Sequence, residues 1–215
     1  NKFTKQDMAL ARMWQDIKSN CHKMADNYIP LLNSYHIIFP TCIDVIEMKR
    51  EVDNLLRNPS IQYAILDMLL NYQGVDSAKK QIIKNRIRQH PYPLQVAAPY
   101  AFYCITVFAF FLASRKHNLF AKKKPDDQID LEYLFYIPFC KVFSSNDNLH
   151  RLLAPRLITS DQVFVPGSEL KKGIHEVDIP PLYKETMNAM CFPIPPMTEN
   201  SLIRKIWKFT KWLYN

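Results

Sequence analysis

Glycine is the residue this chain does most conspicuously without: there are three among 215 residues. No two of them lie close together, so the glycine-rich loops that cradle nucleotide phosphates are excluded. Cysteine is also sparse. Cys21, Cys42, Cys104, Cys140 and Cys191 are widely separated and form no Cys-x-x-Cys pair, which argues against a zinc site or a disulfide framework. Cys42, Cys104 and Cys140 stand in apolar runs and read as small buried hydrophobes, so a reducing, cytoplasmic setting is expected. Long apolar runs are missing too, with one exception at Val96–Ala113. That run is interrupted by Pro99, Thr106 and several tyrosines, and a membrane span needs about 20 apolar residues. It predicts a buried central helix, and no membrane span is expected. The chain opens on neither a secretory signal nor a methionine.

Hydrophobic residues make up 48% and aromatic residues 13% of the chain, so a sizeable core is available. The length fits one domain, or one domain with an extension. Fifteen prolines predict helices joined by stiff connectors. The formal charge of +8 favours an anionic partner, with nucleic acid first and a membrane surface second.

In chain order, Thr4 and Asp7 form a capping box for an amphipathic helix expected to end before Pro30. Tyr35–Phe39 reads as a short buried strand closed by Pro40. Thr41 is then expected to cap a helix with Asp44 at its third position and Ile43, Ile46 and Val52 through Leu56 on its inner side. Ser60–Tyr72 predicts a helix stopped by Gly74. Asp76–His90 predicts a helix whose lysines and arginines form a solvated basic face, with a nucleic-acid contact as the other reading. After the charged turn at Lys122–Asp127, Asp130 sits on a helix, Cys140–Phe143 reads as a strand, and Asp147 falls in the loop at that strand's carboxyl end. A short helix at Leu149–Leu157, a strand at Gln162–Val165 and a helix from Ser168 to Glu176 follow. Pro180–Pro196 is proline-rich and expected to be extended. Ser201–Tyr214 is a basic amphipathic helix, expected to dock on its own domain, with membrane or partner binding as the alternative.

Three acids stand in related settings. Glu47 follows the strand expected at Tyr35–Phe39, Asp130 precedes the second strand, and Asp147 ends it. In a parallel sheet these strands point to one rim, where open α/β sheets place their ligands. Converging carboxylates repel one another unless divalent cations lie between them, and such cations activate water for phosphodiester hydrolysis. Bland roles compete at each position: pairing with Arg50 for Glu47, helix capping for Asp130, and a Ser-Asn-Asp turn for Asp147.

The run from Tyr35 to Glu47, with Asp130-x-x-Tyr133 and Val142-Phe143-Ser144-Ser145-Asn146-Asp147, resembles the PIN-domain nucleases. Leu149-His150 and Phe164–Lys171 are similar to a group of uncharacterised bacterial PIN-like proteins. The resemblance covers roughly Tyr35–Lys172. It implies a helix-rich α/β fold with a central, mostly parallel sheet flanked by helices. Residues 1–179 would form the nuclease domain and 180–215 a proline-rich extension with the basic helix. It further implies Mg²⁺ or Mn²⁺ held by Glu47, Asp130 and Asp147, supported by Ser145 and Asn146, and an endoribonuclease acting on RNA ahead of DNA. The setting would be a bacterial toxin or anti-phage defence effector, with a protein partner or antitoxin. The family's first acid, at the end of an N-terminal strand, has no match, because Asp7, Asp16 and Asp26 lie on or just after a helix. The absent methionine points to a missing upstream segment. The other reading is a catalytically inactive PIN-like module that binds nucleic acid or a partner protein.

Overall fold

The computed structural model describes residues 8, 28–90, 92–119, 127–176 and 201–210. Most of the helix expected at Thr4–Tyr28, with Asp7, Asp16 and Asp26, lies outside them. So do the turn at 122–126, the proline-rich segment, the expected boundary at 179/180, Cys21 and Cys191. The chain divides into two compact units, Asn1–Phe135 and Tyr136–Asn215.

The first unit is helical. Residues 28–34 are helical through Pro30, past the stop expected there. The end is set instead by a backbone motif: His36 N–H donates to the Asn33 carbonyl (3.0 Å) and Ile37 N–H to the Leu32 carbonyl (2.8 Å). His36 takes the left-handed conformation, φ 54°. This is a Schellman stop, and Ile37 and Leu32, the two residues joined by its longer bond, are both fully buried. The strand expected at Tyr35–Phe39 is therefore absent. Ile37 and Phe39 are buried and Ile38 is exposed, but that alternation belongs to an unpaired connector anchored on the helix before it.

Helix α1 spans Val45–Leu55, and Asp44, not Thr41, is its N-cap, accepting from the Ile46 and Glu47 N–H groups. Moving the start three residues along turns Ile43 and Ile46 outward, 89% and 55% exposed. Val45 and Met48 take their place on the inner face, beside Val52 and Leu56, which are buried as expected. Helix α2, Pro59–Tyr72, is capped by Asn58. Buried Gln62 satisfies its amide on the Leu56 carbonyl at 2.6 Å. Gly74, at φ 66°, stops α2 as expected.

Helix α3, Ser77–Gln89, capped by Asp76, carries no buried residue. Its basic side chains are nevertheless engaged. Lys80 Nζ donates to Asn71 Oδ1 (2.5 Å), Lys84 Nζ to Asp67 Oδ1 (2.9 Å), and the Arg88 guanidinium lies over the Tyr63 ring (5.6 Å). Positions 80, 84 and 88 step along one side of α3 while 71, 67 and 63 step back along α2, which is a polar seam between antiparallel helices. Lys79 pairs with the capping Asp76 at 3.2 Å.

A short helix α4, Leu94–Ala97, leads into α5, Pro99–Lys116, around which the unit is built. Every residue from Ile105 to Arg115 is buried, as a helix that is apolar all round must be. Among the described residues no helix is long and apolar enough to cross a membrane. Phe108 packs edge-on with Tyr28 and tilted against Tyr72, at 5.7 and 5.2 Å between ring centres. Helix α6, Asp127–Leu134, closes the unit, with Leu131 and Leu134 buried and Tyr103 Oη donating to the Leu134 carbonyl.

The second unit holds the only strands among the described residues. β1, Val142–Ser145, and β2, Val163–Pro166, pair in parallel with Phe143 opposite Phe164. The first begins two residues later than expected. Helix α7, Asn148–Leu153, follows β1 and runs into a 3₁₀ turn at Ala154–Arg156. Helix α8, Gly167–His175, follows β2 directly. Ahead of β2, Gln162 donates to the Ile137 and Cys140 carbonyls (2.6 and 2.8 Å), tying the start of one strand to the approach to the other. The protein is thus helix-rich with a small parallel sheet. Helix α9, Leu202–Thr210, closes the unit. It packs on α8 where Gly173 leaves room: a Cβ there would meet Leu202 Cβ at 3.3 Å. Docking within its own unit is what the amphipathic pattern predicts.

Candidate functional site

Parallel strands deliver their carboxyl ends to one rim. Here that rim carries the β1–α7 turn, Ser145-Asn146-Asp147, and the β2–α8 junction at Pro166-Gly167-Ser168. Asn146 joins the two. Its Oδ1 accepts from Ser168 N–H at 2.7 Å, and a Cβ at Gly167 would come within 3.1 Å of the Asn146 amide. The backbone at 167 passes close against that side chain, which would have to shift by a few tenths of an ångström to admit a Cβ. Asn146 thereby ties the two loops together.

Asp147 sits where the sequence places it, half-buried, as the N-cap of α7. Its Oδ1 accepts from Leu149 N–H at 2.7 Å. Ser145 Oγ accepts from Asp147 N–H (3.0 Å) and lies 2.8 Å from His150 Nδ1. His150 is buried, and Phe143 meets its ring edge-on at 5.3 Å. A carboxylate oxygen of Asp147 and a ring nitrogen of His150 lie within 4.8 Å of each other. Serine, aspartate and histidine are therefore held together by one strand end and one helical turn. The sequence reading missed His150. The signal was its position three residues after Asp147 at a helix start, which brings both to one side of the first turn.

The other two predicted acids belong to the first unit. Asp130 is half-buried within α6. Glu47 is occupied at the start of α1: its Oε2 accepts from Ile43 N–H (3.0 Å) and its Oε1 lies 3.5 Å from Arg50. The contact with Arg50 is the pairing weighed against a metal ligand; the bond from Ile43 is an additional role that the sequence does not announce.

The chain matches no family model, no curated protein and no solved structure.

Proposed function

We propose that the chain is a metal-dependent nuclease, PIN-like in fold, that hydrolyses RNA at a centre built on Asp147 and His150. The observation that carries the proposal is the pinned rim: an acid and an imidazole at the carboxyl end of a parallel strand, oriented by Ser145 and by the Asn146 bridge. Asp130, in the first unit, is nominated by the sequence pattern and not by this centre. Glu47, which that pattern also nominates, is assigned here to the start of α1.

The donor set chooses among metals. Carboxylate oxygens suit Mg²⁺ and Mn²⁺ alike, whereas an imidazole moves the preference away from Mg²⁺. Mn²⁺ is the better fit of the two. With His150 Nδ1 against Ser145 Oγ, the serine would orient the imidazole as outer partners of ligating histidines do. Bound there, the ion would supply an activated water and offset the charge developing on the phosphodiester.

The test is cleavage of single-stranded RNA with Mn²⁺, with and without chelator, by the parent and by Asp147→Asn. Asparagine caps helices as well as aspartate does, so the variant keeps α7 and its thermal midpoint. Cleavage is expected to fall by about 100-fold or more, as when about 2.7 kcal/mol of transition-state stabilisation is lost. Full Mn²⁺-dependent activity in Asp147→Asn sinks the assignment. RNA binding without any cleavage by the parent would favour the non-catalytic module.

A further inference from the structure

We propose that Arg151 and Lys171 hold the phosphate backbone of single-stranded RNA on either side of the candidate site, an inference that rests on the nuclease reading for the identity of the polyanion. Each stands about one helical turn from the pinned rim. Arg151 N–H donates to the Asp147 carbonyl (2.9 Å), closing the first turn of α7. The arginine therefore follows the capping aspartate at i+4, on the same side of the helix. Lys171 comes three positions after Ser168 on α8 and shares its side of that helix. Ser168 N–H is the group that Asn146 binds at 2.7 Å. One side-chain amide thus holds together the two helix starts from which the cations project. Both side chains are exposed, and among the described residues neither makes a hydrogen bond or an ion pair.

Acids are at hand for both cations and are not used. Arg151 lies one turn from the Asp147 carboxylate and forms no ion pair with it. Glu169 is two positions from Lys171 and does not face it, and Glu176 is taken by Lys172 at 3.8 Å. Two fixed positive charges are therefore left beside the rim, where a phosphodiester at the centre would place its neighbouring phosphates. A membrane surface fits less well, because it needs an apolar face next to the cations. α7 shows no exposed large hydrophobic side chain, and on α8 there is one, Ile174, at the end of the helix away from the rim. A hydrated polyanion needs only the cations. The basic helix α3 is a poorer candidate, since Lys80, Lys84 and Arg88 already bind α2 and Lys79 pairs with Asp76.

The experiment measures anisotropy of a short labelled uridine oligoribonucleotide against salt, in chelator so that nothing is cleaved. Removing two phosphate contacts with Arg151→Gln plus Lys171→Gln should weaken binding at low salt and reduce the log–log salt slope by about 1.4, at about 0.7 per single-strand contact. The pair Arg151→Lys plus Lys171→Arg, which keeps both charges, should keep the parent's slope. Arg57 and Arg86, in the first unit, are also exposed and without an ion pair among the described residues. Arg57→Gln plus Arg86→Gln therefore removes the same charge from elements that do not carry the rim, and should leave the slope as in the parent. An unchanged slope in the Arg151 and Lys171 glutamine pair, an equal loss in the Arg57 and Arg86 pair, or an equal loss in the charge-keeping pair overturns the proposal. So does a parent that binds phosphatidylserine vesicles and not the oligonucleotide. Circular dichroism checks that each variant is folded. Because binding is read without metal, loss of the nuclease reading through active Asp147→Asn would leave a slope that depends on Arg151 and Lys171 standing, and the two failures stay distinct.

Discussion

At the scale of single residues, a chain short of glycine has to stop its helices by other means. Three helices end in the same pair of backbone bonds, and only one of them places glycine, Gly74, at the left-handed position. The others use His36 and Asn118, at φ 54° and 53°. Asparagine tolerates that region through local hydrogen bonding, whereas histidine has less relief from the clash of Cβ with the following carbonyl, a cost of about 1–2 kcal/mol. His36→Gly should therefore stabilise the protein by about 1 kcal/mol after the added freedom of the unfolded chain is counted, raising the thermal midpoint by about 2–4 °C. Asn118→Gly should gain less. A lower midpoint for His36→Gly would show that the side chain contributes more than its backbone strain costs. This residue also explains the strand that is not there: Tyr35–Phe39 has the composition of a strand, but no pattern in those letters announces a left-handed histidine.

At the scale of elements, the sequence was most legible where a cap, a stop and a periodic apolar face coincide. α2, with Asn58 before it and Gly74 after it, came within one residue of expectation, and α8 did the same. α1 slipped because Thr41 and Asp44 both qualify as caps, and only the burial of Val45 and Met48 chooses between them. The basic face of α3 was read as solvated, yet much of it is a seam with α2, a pairing of side chains distant in sequence that no local period reveals. That seam has a pH signature. Burial acts to raise the Asp67 carboxyl, but hydrogen bonds from Lys84 and Tyr35 and the charges of Lys84 and Lys80 outweigh it and hold its pKa below the ordinary value. A carboxyl depressed in the folded state adds stability above its unfolded pKa, about 3.9, and the contribution disappears as pH falls through the folded value. In urea unfolding, the parent should exceed Asp67→Asn at pH 7, with the gap narrowing below about pH 4. A gap independent of pH would mean that the seam is held by packing and not by charge.

At the scale of the whole molecule, the candidate site was legible in part. Asp147, Ser145 and Asn146 stand together because all three lie in one turn, so sequence adjacency guaranteed their proximity. His150 required the helix phase. The broad class was legible too, since few glycines with many prolines and an uncharged run at Val96–Ala113 describe helices around a buried one. Within the first unit the centre is α5, which follows from how much apolar surface a single helix can hide when Phe108, Phe110 and Leu112 are all enclosed. Phe108 is the sharpest test of that organisation. Its ring closes an aromatic triangle with Tyr28 and Tyr72, so truncation removes the side chain's own burial and leaves both tyrosines facing a void. Phe108→Ala should cost about 3–5 kcal/mol, whereas Phe108→Leu, which refills part of the space, should cost less. Chemical denaturation followed by tryptophan fluorescence and far-ultraviolet dichroism gives both values. If Phe108→Ala costs about 1 kcal/mol or less, the level of an ordinary substitution, then α5 is not the core of its unit, and the helix-centred architecture fails with it.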